Sequence, residues 1–441
     1  MSSEGSLDRI SNLKDKLKLK ILECLPLTDA IKTSELSRNW RRTWTRMKFL
    51  KFDEPIVENI GSLTEARFTR IIERILLLHR DSLGQLTVVI PFHFDARRLH
   101  PDSWFISLSR KRVQAIQIIY GRARGPYLPI PSYFFDCGGL EYLSLEACVL
   151  RPPPNFQGFH NLVFLDLCCI ETTSKELALF ISHCPKLREL SLLDISERIS
   201  EPLIISAPNI KILHFEDYIT GMIMLEDTQC LTVVTLECLE NMHVLHRNSY
   251  SMFGLLCSLS TVEELTLDLP LLEPFKGGCP YNLEREFVAL KTLTLGQVNI
   301  CDRDDILFTF CLLRSSPNLK SLKISLQHIE HGDEEDEVSV ECLEAEGRKG
   351  YMLSQLLDLK IDGITGWRSE VMLVNTMLSC CPLLKTLRTE PGLNITVGRE
   401  LKLAWELKRF ARIWKDVKLV YCHLSQGLLY LKKILLGQIS S

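Results

Sequence analysis

Two histidine pairs come nearest to metal chemistry in type and spacing. "HVLH" holds His243 and His246, and "HIEH" holds His328 and His331. Three-residue spacing sets two imidazoles on one side of a helix. A zinc hydrolase, however, also needs its glutamate-bearing motif and a third ligand, and neither pair has them. We assign no metal and no cofactor. Cys184, Cys380 and Cys381 are the other reactive residue types, but each stands at a proline that ends a helical pattern, and a catalytic thiolate would need a cationic neighbourhood. Packing accounts for them. No GxxxxGK[ST] loop, GxGxxG or GxSxG occurs, so the chain reads as non-catalytic.

The remaining candidate chemistry is binding. In "LSRNWRRTW", Leu36, Trp40 and Trp44 lie four apart and would share one face of a helix, with Arg38, Arg41 and Arg42 pointing elsewhere. Nucleic-acid binding would need the aromatic rings interleaved with the cations, so that bases stack while phosphates are neutralised. The separation of the two stripes favours a docking helix for another protein. We place Trp40 on the partner-facing side and leave Trp44 between core and partner.

These residues close a compact helical module, Asp8 to Met47. Within it Leu17, Ile21, Leu22 and Leu25 recur at helical spacing, Pro26 interrupts, and Asp29 caps a second helix beginning at Ala30. The first fifty residues carry eleven Lys or Arg against six acids, which suits an acidic partner.

Beyond the module the chain is repetitive. The pattern apolar, two residues, apolar, one residue, apolar occurs twelve times, from "LGQLTV" (Leu83 to Val88) through "LEYLSL" (Leu140 to Leu145) and "LKTLTL" (Leu290 to Leu295) to an imperfect "LKTLRT" (Leu384 to Thr389). Successive copies are 21 to 37 residues apart, which brackets the leucine-rich repeat. The LxL pair has the period of two expected of a strand with one buried face. Four copies have a proline two positions before the first apolar residue, in "CPKL", "APNI", "SPNL" and "CPLL", and helical patterns such as "KELALFISH" and "EVMLVNTMLS" lie upstream. Proline lacks an N–H and clashes with the preceding turn, so the unit is helix, stop, strand. One such unit cannot bury its own apolar face, and the expected result is a solenoid.

Composition agrees. Of 441 residues 46% are hydrophobic, and a net charge of −3 excludes a globally basic nucleic-acid binder. The sixteen cysteines never stand as CxxC, no secretory leader pattern opens the chain, and no apolar run reaches membrane-spanning length. The expected setting is cytoplasm, nucleus or both, without membrane or nucleic-acid partners. "HGDEEDEVSVECLEAEG" (His331 to Gly347) holds eight acids and no Lys or Arg inside the longest interval. We read it as a mobile inserted loop, solvated in the ordinary case and contacting a basic client in the sharper one. "RPPP" (Arg151 to Pro154) reads as a stiff loop between repeats.

The stretch "DRISNLKDKLKLKILECLPLTDAIKTSELSRNWRRTWTRM" resembles the F-box of plant F-box/LRR proteins. "IPSYFFDCGGLEYLSLEACVLRPPPNFQGFHNLVFLDL" resembles the first repeats of the plant F-box/FBD/LRR group, and Leu356 to Tyr421 is similar to its C-terminal FBD region. The resemblance implies an α/β fold, with an N-terminal three-helix F-box module and then a leucine-rich-repeat solenoid whose curved parallel sheet carries its helices on the convex side. It implies an F-box at 1–52, a helical linker at 53–80, the solenoid at 81–352, FBD-like repeats at 353–422 and a tail at 423–441. It further implies docking on a Skp-type adaptor of a cullin-RING ubiquitin ligase through Leu13, Leu17, Ile21, Leu22, Leu25, Pro26, Ile31, Leu36 and Trp40, with a target protein held by the repeats. Four positions depart from the family: Lys14 replaces proline, Lys16 an acid, Lys18 an apolar residue and Glu35 an aliphatic one. A charge buried at a contact costs several kcal/mol, so these departures would weaken the dock. The alternative expectation is a repeat scaffold whose degenerate F-box engages no ligase.

Overall fold

The computed structural model describes residues 10, 13–53, 64–121, 126–195, 202–217, 223–238, 252–269, 279–327, 333–392 and 395–421. Both histidine pairs and the tail lie outside the described residues. The chain forms two compact units, residues 1–214 with 224–229, and residues 215–223 with 230–441.

The first unit opens with helices α1 (Asp15–Glu23) and α2 (Leu27–Lys32), followed by short 3-10 segments at Thr33–Glu35 and Trp44–Arg46. The strands after them are β1 (Phe49–Phe52), β2 (Gln85–Val89), β3 (Ala115–Ile119), β4 (Leu128–Pro129), β5 (Tyr142–Glu146), β6 (Cys148–Val149), β7 (Phe164–Cys168), β8 (Glu189–Leu193) and β9 (Leu203–Ser206). Between them run α3 (Glu65–Leu78), α4 (Asp102–Ser109) and α5 (Ser174–Ser182). Strands β1, β2, β3, β5, β7 and β8 pair in parallel in that order. The sheet therefore begins at β1, inside the residues that the resemblance gives to the F-box.

Each LxxLxL stretch of this unit ends in a strand, and the register explains why the pattern repeats. Leu86, Ile116, Leu143, Leu165 and Leu190 stand in line across neighbouring strands, all buried. A leucine removed from water by its neighbours in the same row contributes about 1.5–3 kcal/mol, which no isolated repeat could collect. On the helix side Phe134, Phe135, Phe156, Phe159 and Phe180 pack edge to face and stacked, at 5.1–6.5 Å between ring centres. Helix α5 starts with a reciprocal cap, in which Thr173 Oγ1 accepts from Glu176 N–H and Glu176 accepts from Thr173 N–H, and it stops just before Pro185. Arg151 to Pro154 form the expected loop, with Arg151 paired to Glu171 at 3.0 Å.

Strand β10 (Ile212–Asp217) lies where the chain passes from one unit to the next, and β11 (Ile223–Glu226) comes after it. The second unit contains β12 (Val233–Cys238), β13 (Glu264–Asp268), β14 (Thr292–Val298), β15 (Ser321–Leu326), β16 (Asp358–Ile364), β17 (Thr386–Pro391) and β18 (Lys418–Tyr421), parallel and in sequence order. Helices α6 (Met252–Ser258), α7 (Arg303–Arg314), α8 (Asp333–Arg348), α9 (Arg368–Cys380) and α10 (Val397–Ile413) lie between them. Pro317 and Pro382 come after α7 and α9 as the pattern requires. Pro208 instead comes after strand β9, because the 23 residues between Leu190 and Leu213 leave little chain for a helix.

The acidic run overturns one expectation, because it forms helix α8 and no loop. Asp336, Ser339, Val340, Leu343 and Glu346 keep helical spacing and are buried. Asp336 accepts from the N–H groups of Arg368 and Ser369 at 3.2 and 2.9 Å and so caps α9. Glu346 pairs with buried Arg314 at 2.6 Å, and that guanidinium also lies over the Tyr281 ring. Two of the eight acids thus hold neighbouring helices in place. At 16 residues this helix is longer than α7 at 12 and α9 at 13, which accounts for part of the 37-residue interval.

Candidate functional site

Helix α1 decides what the N-terminal module presents. It has one inward stripe, Lys18 and Leu22, and one outward stripe of Leu17, Ile21 and, just past the helix, Leu25. Positions four apart drift by only about 40° on a 3.6-residue helix, so the outward three form one apolar ridge. They are 48, 42 and 38% exposed, against 0% for Leu22. Pro26 is exposed and opens α2 with its fixed φ of −54°. Leu13 and Ile31 are half-buried. Lys14, Lys16 and Lys20 stand exposed around it, which fits an acidic partner surface.

The stretch from Leu36 to Trp44 does not form the expected helix. Its backbone hydrogen bonds run from each N–H to the carbonyl three residues earlier, Trp40 to Ser37, Thr43 to Trp40 and Arg46 to Thr43. Such a turn repeats every three residues, so positions four apart diverge. Side chains promote it, since Thr43 and Thr45 donate their hydroxyls to the carbonyls of Asn39 and Arg42. The module therefore has two α-helices and then 3-10 turns, and the single stripe of Leu36, Trp40 and Trp44 splits. Leu36 is 69% exposed, whereas Trp40 at 2% and Trp44 at 6% are core. The expectation that Trp40 faces a partner is corrected, and Leu22 likewise lies inside the module. Arg38, Arg41 and Arg42 remain exposed.

Lys18 also changes meaning. It is buried with its ammonium 5.7 Å from the centre of the Trp40 ring, a cation–π contact inside the module. The departure from the family at this position therefore bears on the module's own packing. Lys14, Lys16 and Glu35 are exposed and cost no burial in the free chain.

The ridge is seated on the first repeats by polar ties that the sequence did not announce. Arg46 bridges Asp15 at 3.2 Å and Asp81 at 3.1 Å, and hydrogen bonding to Asp81 raises its already high pKa. Lys48 N–H donates to Glu23 at 3.3 Å. The buried His79 ring holds the Met47 carbonyl at 2.7 Å, and burial lowers its pKa, so it is neutral and donates through Nε2. Sequence separations of about thirty residues hide all three. Only the mixed-sign charges in the first turn of α1 hinted at them.

Elsewhere the thiols behave as packing residues. Burial pushes Cys184 up to about 12 and raises Cys380 and Cys381, which disfavours the thiolate. No helix among the described residues is long and apolar enough to cross a membrane.

Comparisons with known proteins fall on the same two regions. The F-box domain pattern matches residues 10–52, which cover the ridge and its supporting turns. The family pattern described as "FBD-associated F-box protein At5g56370, LRR repeats" matches residues 101–324. Among relatives, the F-box/FBD/LRR-repeat protein At1g13570 of Arabidopsis thaliana is 29% identical over 94% of this chain and 99% of its own length. The F-box/FBD/LRR-repeat protein At5g56420 of the same plant is 27% identical over 73% of this chain and 78% of its own. With an exposed apolar ridge on an F-box and strands stacked in register behind it, the chain belongs to the plant F-box/FBD/LRR-repeat family.

Proposed function

We propose that this protein is the substrate-recognition subunit of an SCF-type cullin-RING ubiquitin ligase. The ridge of Leu17, Ile21 and Leu25, extended by Leu13, Pro26, Ile31 and Leu36, seats on a Skp-type adaptor, and the repeats hold a target protein. The observation that carries this reading is that the described residues of the chain leave the ridge uncovered, although burying it would stabilise the free protein. The protein performs no covalent step. Holding the target beside the ubiquitin-charged enzyme raises its effective concentration, and that proximity accelerates transfer. We propose the cytoplasm, the nucleus or both as its setting, and a division into F-box (1–52), linker (53–80), repeats (81–352) and FBD-like repeats (353–422).

Co-purification of the full chain with a Skp-type adaptor tests the reading. Ile21→Asp and Leu25→Asp should abolish adaptor retention by the folded chain, with a much smaller loss of stability than Leu22→Asp, because neither side chain is fully buried as Leu22 is. Failure of the wild-type chain to retain the adaptor, or equal retention by Ile21→Asp, overturns it. Exposed Lys14 at the start of α1 favours a second reading, a repeat scaffold with a spoiled dock. In that case Lys14→Pro should create adaptor binding where the natural chain has none.

A further inference from the structure

The second unit's sheet has one buried face and one open face, and the open face is basic at one end. Leu322, Ile324, Leu359, Ile361 and Leu387 point into the core, so Lys323, Lys360 and Arg388 between them point outward. The register sets these three directly side by side, Lys323 against Lys360 and Lys360 against Arg388. Neighbouring strands are about 4.8 Å apart, and like charges placed directly opposite destabilise a sheet. Two carboxylates offset part of this. Lys360 reaches Asp362 at 3.1 Å and Glu390 at 3.0 Å, and Lys323 reaches Asp362 at 3.5 Å. Arg388 has no ion pair among the described residues, and the same holds for exposed Lys320, Lys385 and Lys418 at the starts of β15, β17 and β18. Exposed Asp358, in register with Ser321 and Thr386, is the remaining acid of this face.

The repeat itself does not require these cations. In the first unit the corresponding outward row reads Lys51, Thr87, Gln117, Ser144, Asp166 and Ser191 in register, with a single cation, on the edge strand and paired to Asp53 at 3.2 Å. A cationic row that the fold can do without, and whose members repel one another, marks a surface selected for what it meets.

We propose that the open face of β15 to β18 binds an acidic, extended segment of the target protein, through Arg388 and Lys418, with Lys320 and Lys385 at its flank. This identification of the target's chemistry rests on the receptor reading above. Charge complementarity selects the occupant. Nucleic acid fits less well, because the outward positions of β15 to β18 carry no aromatic ring for base stacking. Its phosphates, about one per 3.4 Å of strand, would also meet Asp358, Asp362 and Glu390. A peptide whose carboxylates are spaced apart avoids those three.

The test measures fluorescence anisotropy of the full chain with three labelled probes of equal length: an alternating Glu/Ser peptide, its Lys/Ser counterpart and a single-stranded DNA. The wild-type protein should bind the acidic peptide, more weakly as salt rises, and should ignore the basic one. Lys385→Glu/Arg388→Glu/Lys418→Glu should weaken the acidic peptide at least about tenfold, and the corresponding Gln triple by a few-fold, since exposed pairs contribute little each. Unchanged melting temperature shows that the variants fold. Absence of acidic-peptide binding, equal binding by the charge-reversed variant, or tighter binding of DNA overturns the proposal. Adaptor retention measured on the same preparations distinguishes its failure from failure of the receptor reading. The triple variant should retain adaptor fully, and a wild-type chain that binds peptide without adaptor leaves this surface standing while the ligase role falls.

Discussion

Replacing Leu17, Ile21 and Leu25 together by alanine separates contact from core in the F-box. These side chains are on average about two fifths exposed in the free chain. Complete burial of a large aliphatic side chain contributes about 1.5–3 kcal/mol, so covering the exposed share contributes about 0.9 kcal/mol each and roughly 2.7 kcal/mol for the three. At 1.4 kcal/mol per factor of ten, the adaptor Kd should rise roughly 85-fold. Alanine keeps the helix, being its best former, but the covered three fifths of each side chain is lost from the free module as well, so the melting temperature should fall and the Kd is read where the variant is still folded. Trp40→Ala supplies the opposite signature. A fully buried tryptophan replaced by alanine costs about 3–5 kcal/mol, so this variant should melt lower and lose adaptor only as far as the module unfolds. Isothermal titration against purified adaptor, alongside thermal melts, reads both quantities. A triple-alanine chain that binds adaptor within threefold of wild type would refute the assignment of the ridge as the dock.

The packing sets three further outcomes. Arg314→Met should destabilise the second unit by up to about 3–5 kcal/mol because it leaves buried Glu346 with only the part-exposed Lys349 at 2.5 Å, whereas Arg314→Met/Glu346→Leu should recover most of that loss in a denaturant titration. His79 is held neutral, its folded pKa lying below the unfolded value of about 6.5. Its contribution is thus complete above that pH and is lost as pH falls toward the folded value, so thermal stability should drop on acidification and His79→Gln should flatten the dependence. Asp336→Ala removes the acceptor for two N–H groups at the start of α9 and should cost about 1–2 kcal/mol, with faster amide exchange at Arg368 and Ser369 as the local signature.

The repeats are legible in the sequence because each one is the same local solution used again. A leucine every second or third position, spaced by 21 to 37 residues, specifies a strand with one wet face and one dry face wherever it occurs. All twelve stretches form strands for that reason. Lys18, Trp40 and the acidic run depart from expectation, and the cause is common to them. A lysine or a chain of acids has a favourable exposed state by default, and only a specific partner, a tryptophan ring or a helix N-terminus, makes the buried state better. Those partners come from elsewhere in the chain, and no window of sequence contains both.

Periodicity thus determined by itself the kind of fold, the count of recognisable strands and the presence of an apolar helix ahead of them. Tertiary structure alone decided which apolar residues of that helix stay in water, that Leu36 and Trp40 part company across a three-residue turn, and that Lys323, Lys360 and Arg388 stand abreast. Spacing along a chain fixes directions within one element, whereas exposure and cross-strand neighbours depend on what the rest of the chain brings against it.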